Sequence, residues 1–480
     1  MTHGVVVGMT GSGKTGLLLV TAEEALGAGV PVVMIDVKGD LTNLLMTPSD
    51  LSGEALLPWA EAMAAPGDER SDVEIAAELA RERAEGLRSW GITAAAVEGW
   101  NARTRVRVLT PGSTAGKPLH VLSSLERRSP RWESDPESAR AQLSAAVSLV
   151  LRLVGRDPDP ARSKEHVLLS VLAERRLRAG GDADLTALVG DLQKPPIDHI
   201  GALKLDAFML KKERGKLAAA LNGLIASPTF ASWRTGAPVD VGSWLAPDGE
   251  GRTPAVIVSV AHLDTDERAL VLGVVLEEML AWTRSLPGSR RLRALFMLDE
   301  VYGLIPPHPA NPPTKRPMVE LMKQARAFGV GVVLATQNPM DLDYRALSNA
   351  GVWCIGRLQT DADRARVVDG ITGSTAEARE VGNVVEKLAP RWFLVRNVHA
   401  NEGTRLVQPR WAMSFLRGPM TRVELQKARR AREREEGTGA VGGAESNSDI
   451  EMENPTGRVA ANYRTGPNPR FPAERGYGPP

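Results

Sequence analysis

Eight consecutive residues, Gly8-Met9-Thr10-Gly11-Ser12-Gly13-Lys14-Thr15, have the composition and spacing of a loop that cradles phosphate. Glycines at Gly8, Gly11 and Gly13 let the backbone curl, so that the N–H groups through Thr10, Ser12 and Gly16 converge on anionic oxygens. Lys14 has the reach to touch terminal phosphates, and the Thr15 hydroxyl is a magnesium ligand by type and position. A strand-like run, Gly4–Val7, enters the loop and an apolar run, Gly16–Val20, leaves it. That strand–loop–helix context separates the motif from an ordinary Gly-rich turn, and it predicts a nucleotide site for ATP with Mg2+.

A second group of chemistry-bearing residues lies far along the chain. Leu295-Phe296-Met297-Leu298 is an apolar run ending in Asp299-Glu300. A carboxylate at a strand tip can hold magnesium through water, which is the expectation for Asp299, and its neighbour Glu300 is then placed to polarise an attacking water. The next strand-like run ends in Thr336-Gln337, where an amide could contact the terminal phosphate or the water; a turn before Asn338-Pro339 is the competing reading. Phosphoryl transfer also gains from a guanidinium facing the developing charge. Arg326 and Arg357, both at element ends, are the candidates within the site. Arg364, on the helix after the Gly351–Ile355 run, is a further arginine of note.

These residues need a scaffold that brings strand tips together. Pro31–Asp36, Val106–Leu109, Pro254–Val260, Arg293–Asp299, Gly331–Ala335, Gly351–Ile355 and Trp392–Val395 read as short, continuous apolar runs, as expected of strands buried on both faces of a parallel sheet. Helical spacing marks Leu270–Ser285 and Met318–Phe328 between them, and Thr360-x-x-Asp363 is a capping box. Glu74–Leu87, Ala139–Leu153, Ser163–Ala179 and Glu213–Ala226 are amphipathic helices of an intervening region. The expected organisation is α/β: a core in two parts, residues 1–47 and 251–420, split by an all-α insert at 48–250. A C-terminal helix at 421–436 and a disordered tail at 437–480 follow, the tail being rich in Gly, Pro, Asn and Ser.

Composition narrows the function classes. Lys+Arg 59 against Asp+Glu 58 leaves a net charge of +1, so any binding of nucleic acid must come from local patches. The run Lys427–Arg432 is offset by Glu433, Glu435 and Glu436, and reads as a solvated helix. A single cysteine, Cys354, excludes an intramolecular disulfide. No apolar run reaches membrane-spanning length and no leader is visible at the N-terminus, so the expectation is a cytoplasmic protein with no membrane insertion.

Taken together, the pieces resemble the HerA/FtsK branch of RecA-like ATPases. The resemblance is carried by His3–Gly16, Ile35-Asp36-Val37-Lys38-Gly39-Asp40, Leu298-Asp299-Glu300 and the block Gln324–Arg366. It implies a RecA-like P-loop NTPase core with a parallel-dominated sheet, assembled in hexameric rings that hydrolyse ATP at subunit interfaces and move DNA. A nuclease or another protein is a further candidate partner. HerA-like proteins usually carry a small β-barrel before the P-loop, with an arginine that reaches the neighbouring subunit. Here the first strand begins at residue 4, and a central strand of four residues is short for its position. Either the chain has lost that domain or its true start lies further upstream, the second being the expectation; a donor in trans must then come from elsewhere, with Arg357 and Arg364 as the candidates. Two other functions share the same residues. An ATPase that moves protein would hydrolyse ATP without regard to polynucleotide, and a slow nucleotide-dependent binding module would have no need of the Asp299-Glu300 pair.

Overall fold

The computed structural model describes residues 3–48, 51–63, 69–339, 342–358, 360–371, 375–400 and 403–442. Thirteen strands occur among them: β1 (His3–Val7), β2 (Val32–Asp36), β3 (Thr104–Pro111), β4 (Lys117–His120), β5 (His199–Ile200), β6 (Leu203–Lys204), β7 (Ala237–Pro238), β8 (Thr253–Ser259), β9 (Ala294–Asp299), β10 (Val330–Thr336), β11 (Ala350–Ile355), β12 (Phe393–Asn397) and β13 (Arg405–Val407). Apart from the β5–β6 hairpin they form one sheet of 11 strands, in the order β13-β12-β11-β1-β10-β9-β2-β8-β3-β4-β7. Every pairing from β11 to β7 is parallel, and β12 alone is reversed, pairing antiparallel with both β11 and β13.

The central strands are apolar throughout because both faces are covered. Val5, Val7, Val33, Ile35, Phe296 and Leu298 belong to one core, together with the helices Pro136–Leu153 and Thr265–Ser285. Their alternates Val6, Val32, Met34, Leu295 and Met297 belong to the other, beneath the helices Lys14–Gly27 (α1) and Asp72–Arg88. Period-two alternation thus sends successive side chains to opposite layers. The helices start where their caps allow. Ser71 and Glu74 form a capping box, as do Asp264 and Glu267, and Ser163 accepts from the His166 N–H. Such caps contribute about 1 kcal/mol each.

Two sequence expectations need correcting. Region 48–250 is helix-rich but not all-α, since it contributes β3, β4 and β7 to the main sheet. β3 pairs with β8 from Thr104↔Thr253 to Leu109↔Val258, covering an edge that an all-helical insert would leave open. Its charges Arg105 and Arg107 alternate with buried Val106 and Val108, and β4 and β7 are too short, with a proline each, to show a period. The region is accordingly part of one contact unit spanning Met1–Glu433. The second correction concerns the basic run near the C-terminus. In the helix Arg422–Gly442, Leu425, Ala428 and Arg432 are buried, and Arg432 donates to the Asn101 side-chain oxygen at 2.6 Å. Small and apolar residues at three- and four-residue spacing give this helix a docking stripe, so the run is not simply solvated. Residues 443–480, most of the expected tail, lie outside the described residues.

Candidate nucleotide site at the C-terminal edge of the sheet

The parallel strands deliver their tips to one edge, where the phosphate loop lies. β10 stands between β1 and β9, so Gln337 emerges between the loop that follows β1 and the acidic pair that follows β9. Neighbours pin the loop from both sides. The Gly8 N–H donates to the Thr336 carbonyl at 3.3 Å, the Met9 N–H to the Arg357 carbonyl at 2.8 Å, and the Gly356 N–H to the Val7 carbonyl at 2.7 Å. Gly13, at φ 94, begins α1 in a left-handed conformation, and a Cβ there would lie 3.2 Å from Cα of Arg391. At Gly8 a Cβ would lie 2.6 Å from Oγ of Ser12. Gly13 therefore requires glycine, and at Gly8 a side chain would displace the Ser12 hydroxyl.

Lys14 is buried and donates to the Gly8 and Met9 carbonyls at 2.5 and 3.0 Å. Burial, helped by the charge of Lys38 and opposed by Glu300 and Asp299, pushes its ammonium down to about 8. Asp299 is also buried. Desolvation, with Glu300 and Asp40 adding repulsion, raises its carboxyl to about 6. Its Oδ2 is buried with no hydrogen-bond partner. A carboxylate oxygen kept from water and from protein donors suits a cation such as Mg2+.

Glu300 follows Asp299 with φ 60, a backbone conformation uncommon for a residue with a side chain. Its carboxylate is held on both oxygens. Oε2 pairs with the Lys38 ammonium at 2.8 Å, and Oε1 accepts from the Gln337 N–H at 3.4 Å and the Thr336 hydroxyl at 3.5 Å. The Gln337 side-chain oxygen in turn accepts from the Thr10 hydroxyl at 2.8 Å. Thr10, Gln337, Glu300 and Lys38 are thus one connected polar chain that crosses the edge of the sheet.

The arginines divide. Arg357 is exposed beside the loop that its carbonyl anchors. Arg326 precedes β10, at the opposite end of the sheet from Gln337, with its guanidinium 3.4 Å from the His399 ring nitrogen. It therefore does not join the site of its own chain. Arg364 pairs with Asp361 of its own helix and donates to the Leu358 carbonyl at 3.3 Å. Of the capping box expected there, one half is seen, the Asp363 N–H donating to the Thr360 hydroxyl at 3.1 Å, and the Thr360 hydroxyl donates to the Asp363 carboxylate at 2.6 Å.

Three residues escaped sequence reasoning. Lys38 lay inside a stretch noticed only for its resemblance, and Asp36 in that same stretch is fully buried, accepting from the Gly39 N–H at 2.7 Å and the Thr42 N–H at 3.3 Å. Burial and the nearby Asp299 push the Asp36 carboxyl up to about 7, against those two N–H bonds. The third is Arg391. It too adopts a left-handed conformation, at φ 65, and its N–H donates to the Ser12 carbonyl at 3.0 Å. No motif spacing signals it, because contact with the loop is made by backbone from a distant segment.

The fold and site together are a mostly parallel sheet with a P-loop at its C-terminal edge, in which β10 separates the P-loop strand from the acidic strand. Residues 1–61 match the family model described as Helicase HerA-like C-terminal, and that stretch holds the phosphate loop, β2 and the Asp36–Asp40 turn. No curated protein matches the sequence. Among solved structures the chain is similar to VirB4 of Thermoanaerobacter pseudethanolicus, at 15% identity over 85% of this chain and 89% of that one, with a TM-score of 0.48. It is also similar to the plasmid coupling protein TrwB in complex with ADP and Mg2+, at 16% identity over 87% of each chain, with a TM-score of 0.47. Among the described residues no helix is long and apolar enough to cross a membrane.

Proposed function

We propose that this chain is an ATP-hydrolysing motor of the HerA-like type that acts on DNA. The observation that carries the reading is the chain of contacts from Thr10 through Gln337 to Glu300, which joins the phosphate loop to the acidic strand tip. In this reading the backbone N–H groups of residues 8–16 and the Lys14 ammonium hold the phosphates. Thr15 and Asp299 are the residues that would hold Mg2+, which supplies charge neutralisation between the β- and γ-phosphates. Glu300 accepts a proton from water as its oxygen attacks the γ-phosphorus. The bond from that phosphorus to the bridging oxygen breaks, leaving ADP and inorganic phosphate. Gln337 orients the water or the γ-phosphate from between the two halves, and an exposed arginine such as Arg357 stabilises the transition state at a subunit boundary.

Hexameric assembly belongs to the same proposal, because a donor in trans requires a neighbour. Arg357 and Arg364 are the candidates to serve the next subunit's site. Action on DNA rests on the match over residues 1–61, and a nuclease or other protein partner and a cytoplasmic location go with that reading. The deciding experiment is ATP hydrolysis by the purified chain with and without double-stranded DNA, with light scattering in each nucleotide state. Hydrolysis indifferent to DNA would transfer the reading to a protein-moving ATPase. A monomer hydrolysing at full rate would remove the ring.

A further inference from the structure

The Lys38 side chain sits between two parts of the site that catalysis would have to coordinate. β2 and β9 are adjacent and in register at Asp36↔Asp299, so the turn after β2 and the residue after β9 emerge side by side. That turn is rigid. Buried Asp36 ties down the Gly39 and Thr42 N–H groups, the Thr42 hydroxyl donates to the Gly39 carbonyl at 2.6 Å, and Gly39 takes φ 94. Lys38, carried on this turn, is only partly covered, with 34% of its side chain exposed, whereas the Glu300 side chain it grips at 2.8 Å is 13% exposed. Its charge is felt by Lys14 on one side and by Asp299 on the other. One ammonium therefore grips the Glu300 carboxylate within electrostatic reach of Lys14, and it has two N–H donors beyond the one given to Glu300.

We propose that Lys38 is a positioning residue that links Glu300 to the terminal phosphate of the bound nucleotide. With a triphosphate present, the ammonium shares its donors between the γ-phosphate and Glu300 Oε2, which aims the carboxylate at a water beside that phosphate. With a diphosphate, all its interaction goes to Glu300, whose carboxylate stays clamped against Gln337 and Thr336. Lys38 thereby makes the placement of the base depend on the γ-phosphate. The inference rests on the ATPase reading above and deepens it.

The test compares Lys38→Met and Lys38→Arg in the full chain. In a Glu300→Gln background, which removes turnover, titration calorimetry with Mg·ATP and Mg·ADP reads binding alone. Lys38→Met should lower the ratio of ATP to ADP affinity about tenfold, the effect of losing one charge-assisted contact to the γ-phosphate, with ADP affinity unchanged. With Glu300 restored, Lys38→Met should lower kcat by more than tenfold, and Lys38→Arg should recover part of it because a guanidinium bridges two anions. A merely structural role would weaken ATP and ADP alike. An unchanged affinity ratio together with kcat within twofold of the parent overturns the proposal while leaving the ATPase reading intact. A parent chain that neither binds nor hydrolyses ATP overturns both.

Discussion

The hydroxyl of Thr10 donates a 2.8 Å hydrogen bond to the side-chain oxygen of Gln337, although the two residues stand 327 positions apart in the chain. Thr10 lies in the phosphate loop and Gln337 at the tip of β10, the strand between β1 and β9. The contact puts the phosphate loop, Gln337 and, through the Gln337 N–H, Glu300 in one hydrogen-bonded series. Short polar contacts between rigid strand tips are a direct way to couple occupancy to chemistry.

Lys14→Ala should weaken ATP binding by at least tenfold, since it removes the side-chain cation of the loop. The parent should show a related pH effect. The Lys14 ammonium is held down at about 8, so above that pH the free protein must take up a proton to bind phosphate. ATP affinity should fall as pH rises through 8, by up to about tenfold per unit. Calorimetry at pH 7 and 9 measures this, and the dependence should vanish in Lys14→Ala. Its persistence there would assign the titration to another group.

Glu300→Gln should bind ATP and hydrolyse it at least about a hundredfold more slowly, because an amide cannot take the water's proton. A phosphate-release assay at saturating ATP measures it. Turnover near the parent rate would move the general base to another residue.

Glu23 yields a stability prediction. Its fully buried carboxylate accepts from the Met413 and Ser414 N–H groups, both at 2.9 Å, and from Arg410 at 2.7 Å, fastening the chain after β13 to α1. Glu23→Ala leaves two N–H groups without their acceptor, while Arg410 keeps Glu24 and the Trp411 carbonyl, so it should destabilise the fold by about 2 kcal/mol. The change should appear in the urea midpoint and in faster proteolysis after residue 405. An unaltered midpoint would mean that water replaces the carboxylate without loss.

Acid should destabilise the protein through His3. Burial, with the Arg326 charge adding to it, lowers the imidazole to about 4, and Nδ1 accepts from the Val332 N–H at 3.1 Å. Between pH 6.5 and 4 the unfolded chain binds the extra proton and the folded one does not. The neutral ring's contribution is therefore complete above 6.5 and lost as pH falls toward 4, on the order of 3 kcal/mol in all. Urea unfolding of the parent and of His3→Asn across that window checks it. Equal pH slopes in the two proteins would exclude His3 as the source.

The amino-acid sequence by itself determined the parts of this protein whose physics is local. The phosphate loop was legible because its glycines, lysine and threonine must stand at fixed spacing, and the buried strands because parallel strands covered on both faces are apolar along their whole length. Asp299 and Glu300 were legible as the end of such a strand. What required the tertiary structure was every relationship made between strands. β3 alternates arginine with valine and reads weakly alone, yet its pairing with β8 draws the helix-rich region into the sheet. Arg326 looked like a site residue by its place in the chain, but strand direction carries it to the far end of the sheet. Lys38 and Arg391 reach the site through a salt bridge to the next strand's tip and a backbone contact across the loop. Spacing along one segment encodes the conformation of that segment. Strand order and register decide which tips meet, and these depend on long-range burial that no single stretch of residues contains.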